Sequence, residues 1–168
     1  MGDHINQLNQ EFSEDEYNPH RKLLRIANEL GVRVDVWPFG DSAPSWIWNT
    51  GNGWVVALNS DDPPEIRTVN LAHELIHYLN HRTLTPCNIF SSDGACCTNP
   101  ILEEQANYLG RRLLLPESLM YKIWPCFDPQ HIARELGVPA NIVTQRIVDV
   151  WGFQYARQYR KAVGFLDY

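Results

Sequence analysis

"NLAHELIHYLNHR", residues 70–82, decides how the rest of the chain is read. It holds His73-Glu74-x-x-His77, with a further histidine, His81, four residues on. Side chains four apart on a helix are neighbours on one face, so His73 and His77 can offer two imidazoles to one ion. Glu74 is turned by about 100° from His73 and lies beside the pair, where a carboxylate can act as base to a water. A zinc ion with an open coordination position lowers the pKa of its water to about 7 and polarises a scissile carbonyl. The opposing reading is two structural histidines satisfied inside a core. Leu71, Ala72, Leu75 and Ile76 make the other faces of this helix apolar. The helix is therefore expected to be buried, and buried histidines need partners.

A catalytic zinc site needs a third protein ligand. The segment "ILEEQANYLGRRLLLP" (101–116) supplies candidates. Glu103 and Glu104 are adjacent and point about 100° apart on a helix, so one of them faces the metal. Glu103 stands one turn before Asn107, which would put on the same face a polar group able to orient a ligating histidine. Glu104 shares its face with Tyr108 instead. Glu103 is preferred, against the ordinary outcome of a solvated Glu-Glu face. His81 competes for the same role. Four residues on a straight helix rise about 6 Å, so three successive turns converge poorly on one ion. His81 is expected behind the ligands, facing substrate, or exposed.

The chain has 168 residues, an apolar fraction of 44% and a formal net charge of −6. This length suits one domain with a core of its own. The acidic balance argues against whole-surface nucleic-acid binding. The N-terminal stretch is polar and acidic, unlike a secretory signal, and no run is apolar and long enough to span a membrane. Cytoplasmic residence is the expectation, with Cys87, Cys96, Cys97 and Cys126 mainly reduced.

Residues 1–14 are expected to be a flexible N-terminus. "EDEYNPHRKLLRIANELGV" reads as a helix closed by Gly31, with Leu23, Leu24, Ile26, Ala27 and Leu30 on one stripe. "VRVDVW" (32–37) alternates as a half-buried strand. "SWIWNTGNGWVVALN" reads as a hairpin, strands 45–49 and 54–59 around a Gly-Asn-Gly turn. Asp62 or a neighbour is expected to cap the helix over 64–82, with Pro63 or Pro64 in its first turn. Residues 83–100 are irregular and residues 101–115 helical. Short helices follow over about 117–123, 128–136, 139–150 and 152–162. The order predicts an α+β fold with a small antiparallel or mixed sheet. The predicted division is a peptidase core over 15–124 and a C-terminal helical segment over 125–168, packed on the core.

"VVALNSDDPPEIRTVNLAHELIH" resembles the strand, turn and helix of the ImmA/IrrE metallopeptidase family, which shows Ile-x-Leu-Asn and then an Arg-containing run into Ala-His-Glu-Leu-Gly-His. "EEQANYLGRRLLLP" is similar to its second signature, Glu-x-x-Ala-Asn-x-Phe-Ala-x-x-Leu-Leu-Met-Pro. Setting Ala106-Asn107 and Leu114-Leu115-Pro116 on that signature puts its first Glu at Glu103. "IARELGVPANIVTQRI" resembles the closing helix-turn-helix-like pair. The resemblance covers roughly residues 20 to 150. Ile76 replaces the common Gly, Tyr108-Leu109-Gly110 departs from the second signature, and the cysteine-bearing insert at 83–100 lies outside the pattern. The resemblance implies a zincin-like core of the gluzincin type and a zinc-dependent endopeptidase. It also implies substrates that are helix-turn-helix repressors of stress, prophage or mobile-element genes.

Other constellations are weaker. Ala133, Gly137 and Val143 stand at the offsets of a helix-turn-helix. From residue 131 onward the net charge is only +2, too thin a footprint for DNA contact, which is not expected. A thiolate from the loop carrying Cys87, Cys96 and Cys97 could fill the zinc's open position. Trp37, Trp46, Trp48 and Trp54 crowd the sheet as packing or as the wall of a peptide groove. Tyr78, His81, Tyr108, Tyr121 and His131 are the candidates for an oxyanion donor. The reading is therefore a zinc peptidase, manganese being the alternative ion, with His73, His77 and Glu103 as ligands and Glu74 as general base. The rivals are a non-catalytic, metal-stabilised regulator that binds a repressor or DNA, and a toxin–antitoxin partner.

Overall fold

The computed structural model describes residues 17–40, 45–83, 89–91, 99–123 and 128–152. The expected flexible N-terminus over 1–14, the cysteines Cys87, Cys96, Cys97 and Cys126, and nearly all of the helix read over 152–162 lie outside these residues.

Helix α1 (Pro19–Glu29) starts later than the sequence pattern suggested. Asn18 is its cap, accepting from the Arg21 N–H, and Pro19 fills the first turn, where a missing N–H is harmless. Its buried stripe is Leu23, Ile26 and Ala27, while Leu24 faces out. Gly31, at φ +68°, ends it. Strands β1 (Val32–Trp37), β2 (Ser45–Asn49) and β3 (Trp54–Asn59) follow, with a short β4 (Ile89–Ser91). The sheet is mixed, in the order β1-β3-β2-β4. β2 pairs antiparallel with both β3 and β4, and β1 runs parallel to β3 from Val32 opposite Trp54 to Trp37 opposite Asn59.

Alternation along the strands separates two faces. Ser45 and Ile47 of β2, with Val56 and Leu58 of β3, point to the helices and are buried. Trp46 and Trp48 point the other way. There Trp46 stacks on Phe39 and Trp48 meets Trp37 edge-on. Trp54 sits on the helical side, against Tyr78.

Helix α2 (Pro64–Ile76) lies against β2 and β3. Asp62 is not its cap. Its carboxylate accepts from the Asn70 amide at 3.1 Å, and Pro63 occupies the cap position without a side-chain hydrogen bond. The α-helix ends at Ile76, and His77–His81 continue it as a π-helical turn. Helix α3 (Pro100–Leu114) packs along α2. Helices α4 (Glu117–Ile123), α5 (Pro129–Leu136) and α6 (Ala140–Trp151) complete the described chain. Gly137 takes φ +63° between α5 and α6, and Ala133 and Val143 are buried around that turn.

The end of α3 is held from two sides. Lys22 Nζ donates to the Leu113 carbonyl at 2.9 Å, the Tyr17 hydroxyl donates to the Leu114 carbonyl, and Arg146 Nε donates to the Leu115 carbonyl at 2.8 Å. These carbonyls have no partner within the helix, and Pro116 prevents its continuation. Arg111 of α3 also forms a two-pronged pair with Asp149 of α6, at 2.9 and 3.3 Å. The helix bearing Glu103 is thereby tied to α1 and α6.

Burial lowers the Lys22 amine from 10.5 to about 7. Between those values the unfolded chain keeps a proton that the folded chain releases, so stability rises with pH across this window. Unfolding free energies from urea titrations between about pH 7 and about pH 9 should climb by at most about 1.4 kcal/mol per pH unit, and Lys22→Met should flatten that slope.

Candidate metal centre

Residues 71–77 form an unbroken buried stretch, because α2 is enclosed by the sheet on one side and by α3 on the other. Two imidazoles enter this interior from consecutive turns, and a carboxylate meets them from α3. His73 and His77 point their Nε2 atoms at each other, 2.9 Å apart. Glu103 of α3 reaches both, with Oε2 at 3.1 Å from His73 Nε2 and Oε1 at 3.3 Å from His77 Nε2. Glu104 faces solvent. The three donor groups are a cluster that could hold a metal ion. Ligands of one tetrahedral zinc, with bonds of about 2.0–2.1 Å, lie roughly 3.3 Å apart, close to these separations.

Helix α3 passes close to the backbone of α2 at Gly110. A Cβ there would lie 3.5 Å from the His73 backbone nitrogen and 3.6 Å from the Ala72 carbonyl carbon. That is ordinary van der Waals contact with the backbone that carries His73.

The electrostatics favour a positive charge at the Nε2 atoms. Burial pushes the Glu103 carboxyl up, but hydrogen bonds and charge from His73 and His77 outweigh it and hold the group at about 2. Burial likewise opposes charge on His73, yet Glu103 and Glu74 raise its pKa above the ordinary imidazole value. A potential that attracts a proton to His73 attracts a metal cation by the same Coulomb term.

Glu74 is fully buried. Burial raises its pKa, with His73, His77 and the Ser45 hydroxyl opposing that rise. Oε1 accepts from Ser45 Oγ at 2.7 Å, whereas Oε2 is buried with no hydrogen-bond partner among the described residues. An orphan carboxylate oxygen beside two imidazoles fits a site completed by a water or an ion.

Ser45 is a site residue that the sequence reading missed. The signal was present: alternation in "SWIWN" puts Ser45 on the same face as the core residue Ile47. A hydroxyl on a core face needs a buried partner, and here that partner is Glu74.

The remaining candidates spread out. Asn107 Oδ1 lies 3.0 Å from His73 Nδ1, and His81 Nδ1 lies 2.9 Å from His77 Nδ1. His81 is wholly buried behind His77 and is not in the ligand cluster. Tyr108 is exposed, with Arg111 and Arg112 near its ring. The Tyr78 hydroxyl donates to the Leu30 carbonyl, and Tyr121 packs edge-on against Trp151. Arg146, one of the cations in the C-terminal helices, is buried against α3 rather than presented at the surface. No helix among the described residues is long and apolar enough to cross a membrane.

Comparison with known proteins follows the same lines. A family model described as Peptidase_M78, IrrE N-terminal-like domain, matches residues 27–148. The fold is similar to a solved chain described as a Mycobacterium tuberculosis transcriptional regulator, with a TM-score of 0.64 and 15% sequence identity. That likeness covers 86% of this chain and 45% of the other, so this chain spans under half of its neighbour's length. No curated protein matches.

Two substitutions probe the packing. Gly110→Ala should fold with little loss, while Gly110→Leu should destabilise by about 1–3 kcal/mol through overpacking and displace Glu103. Chemical denaturation gives the first quantity and zinc titration the second. Ser45→Ala leaves Glu74 Oε1 without its hydroxyl donor and should cost about 1–3 kcal/mol in the same denaturation assay.

Proposed function

The chain belongs to the IrrE N-terminal-like domain family, and from that premise we propose that it is a zinc-dependent endopeptidase acting on a helix-turn-helix repressor protein. The observation that carries this reading is the convergence of His73, His77 and Glu103 beside a buried carboxylate, Glu74, that has one oxygen unpartnered. The family's peptidase character supports the reaction class. The description of the solved neighbour as a transcriptional regulator supports a role in transcription control.

His73 Nε2, His77 Nε2 and one Glu103 oxygen would hold the ion. Imidazole and carboxylate donors suit zinc, and manganese is the alternative ion. When bound, a divalent ion supplies Lewis acidity, which polarises a peptide carbonyl and acidifies a water. Glu74 does the proton work. Ser45 occupies Oε1, so Oε2 is the atom free to take the proton of the attacking water and pass it to the leaving amide nitrogen. The raised pKa of Glu74 suits that exchange, because a carboxylate well below neutrality is a weak base. Asn107 accepts from His73 Nδ1 and so leaves Nε2 with its lone pair toward the ion.

A second reading has the fold acting as a regulator through binding alone, and the neighbour's description favours it. One set of measurements separates the two. Elemental analysis of wild type should find one zinc per chain, lost in Glu103→Ala and kept in Glu104→Ala. Glu74→Gln should keep its zinc and lose cleavage by about 10²–10⁴-fold, read as new termini by mass spectrometry of a co-incubated helix-turn-helix repressor panel. Unchanged regulation by Glu74→Gln in cells would establish the binding-only reading instead.

A further inference from the structure

The π-helical turn His77–His81 carries a second histidine pair, one turn beyond the first. It directly follows the α-helical segment bearing His73 and Glu74. Its last residue, His81, is wholly buried, and its ring stands 4.9 Å from that of His77 at 64°. The two Nδ1 atoms are 2.9 Å apart. Irregular turns of this kind often sit at functional sites.

We propose that His81 is a positioning residue, which fixes the tautomer and ring orientation of His77 so that His77 Nε2 is available to a metal ion. This inference rests on the metal-binding reading given above. An N···N contact of this length carries one proton. If His77 Nε2 offers a lone pair, Nδ1 must bear the hydrogen, and that N–H donates to His81 Nδ1. His81 must then be the acceptor, neutral, with its own hydrogen on Nε2. The reverse arrangement, with His81 Nδ1–H donating, puts the His77 hydrogen on Nε2 and removes that ligand.

The other histidine has the matching device. His73 Nδ1 faces Asn107 Oδ1 at 3.0 Å, and a carbonyl oxygen can only accept. Both imidazoles are thus held at Nδ1 from outside and turn Nε2 toward Glu103. Asn107 comes from the neighbouring helix α3, whereas His81 comes from the turn that directly follows α2. A partner that orients a ligating histidine is typically worth about 10–100-fold in metal affinity.

The test uses the full chain and zinc alone, with no substrate. His81→Leu keeps the volume and removes the acceptor. His81→Asn keeps an acceptor near the Nδ1 position. Competition with a chromophoric chelator should show His81→Leu binding zinc about 10–100-fold more weakly than wild type, with His81→Asn recovering most of that loss. Melting of the zinc-free proteins separates a packing role, which would lower the melting temperature and leave the zinc affinity of folded protein unchanged. Equal affinity in wild type and His81→Leu would overturn the inference. Should His81→Leu fail to fold, ¹⁵N NMR of zinc-loaded wild type decides. A proton on His77 Nδ1, with an N–N coupling to His81 Nδ1, is expected, and a proton on His81 Nδ1 donating to His77 would refute it. A wild-type chain that binds no zinc would overturn the metal reading and this one together, an outcome distinct from zinc bound independently of His81.

Discussion

Glu103 placed against the Nε2 atoms of His73 and His77 is the interaction around which the rest of the molecule is arranged. Two imidazoles and a carboxylate in a largely apolar interior are costly unless they satisfy one another. The groups come from two helices, so their mutual satisfaction requires α2 and α3 to touch almost backbone to backbone. At Gly110 a Cβ would already touch the backbone of Ala72 and His73. The ties from Lys22, Tyr17 and Arg146 to the end of α3 stop the helix from sliding along its partner.

Around this centre the polar atoms are sorted by direction. The Nδ1 atoms of both histidines point outward, to Asn107 and His81, and one Glu74 oxygen points to Ser45. The two Nε2 nitrogens face each other and the Glu103 carboxylate, and the second Glu74 oxygen is buried with no hydrogen-bond partner among the described residues. Such an arrangement holds ligands rigid while leaving their reactive atoms toward a common point, which is what pre-organisation requires of a catalytic or binding site.

Much of the architecture was legible from local pattern. The alternation of 32–37, 45–49 and 54–59 marked three strands at their observed bounds, because side-chain period two is a local property of an extended chain. Glu103 could be preferred over Glu104 from its spacing to Asn107, since helical phase is local as well. Helix starts were less legible. Among the described residues the first helix begins at Asn18-Pro19, leaving Tyr17 outside it, and Asp62 turned to Asn70 rather than capping α2. Several polar residues near a terminus can cap, and the neighbouring packing selects among them. The parallel pairing of β1 with β3 and the sheet order were not legible, because strand partnership depends on contacts remote in sequence.

By itself, then, the amino-acid order determined the identity and helical phase of His73, Glu74, His77 and Glu103, the three longer strands, and the family to which they belong. Only the tertiary structure decided how His81 is used. Helical phase puts it on the face of His77, but its complete burial and the 2.9 Å contact between the two Nδ1 atoms arise only in the packed structure. Ser45 came to Glu74 in the same way, across the interface between strand and helix. Local sequence sets periodicity and therefore which residues share a face. The distances that convert a shared face into a site arise where two elements pack, and those depend on every side chain in the interface.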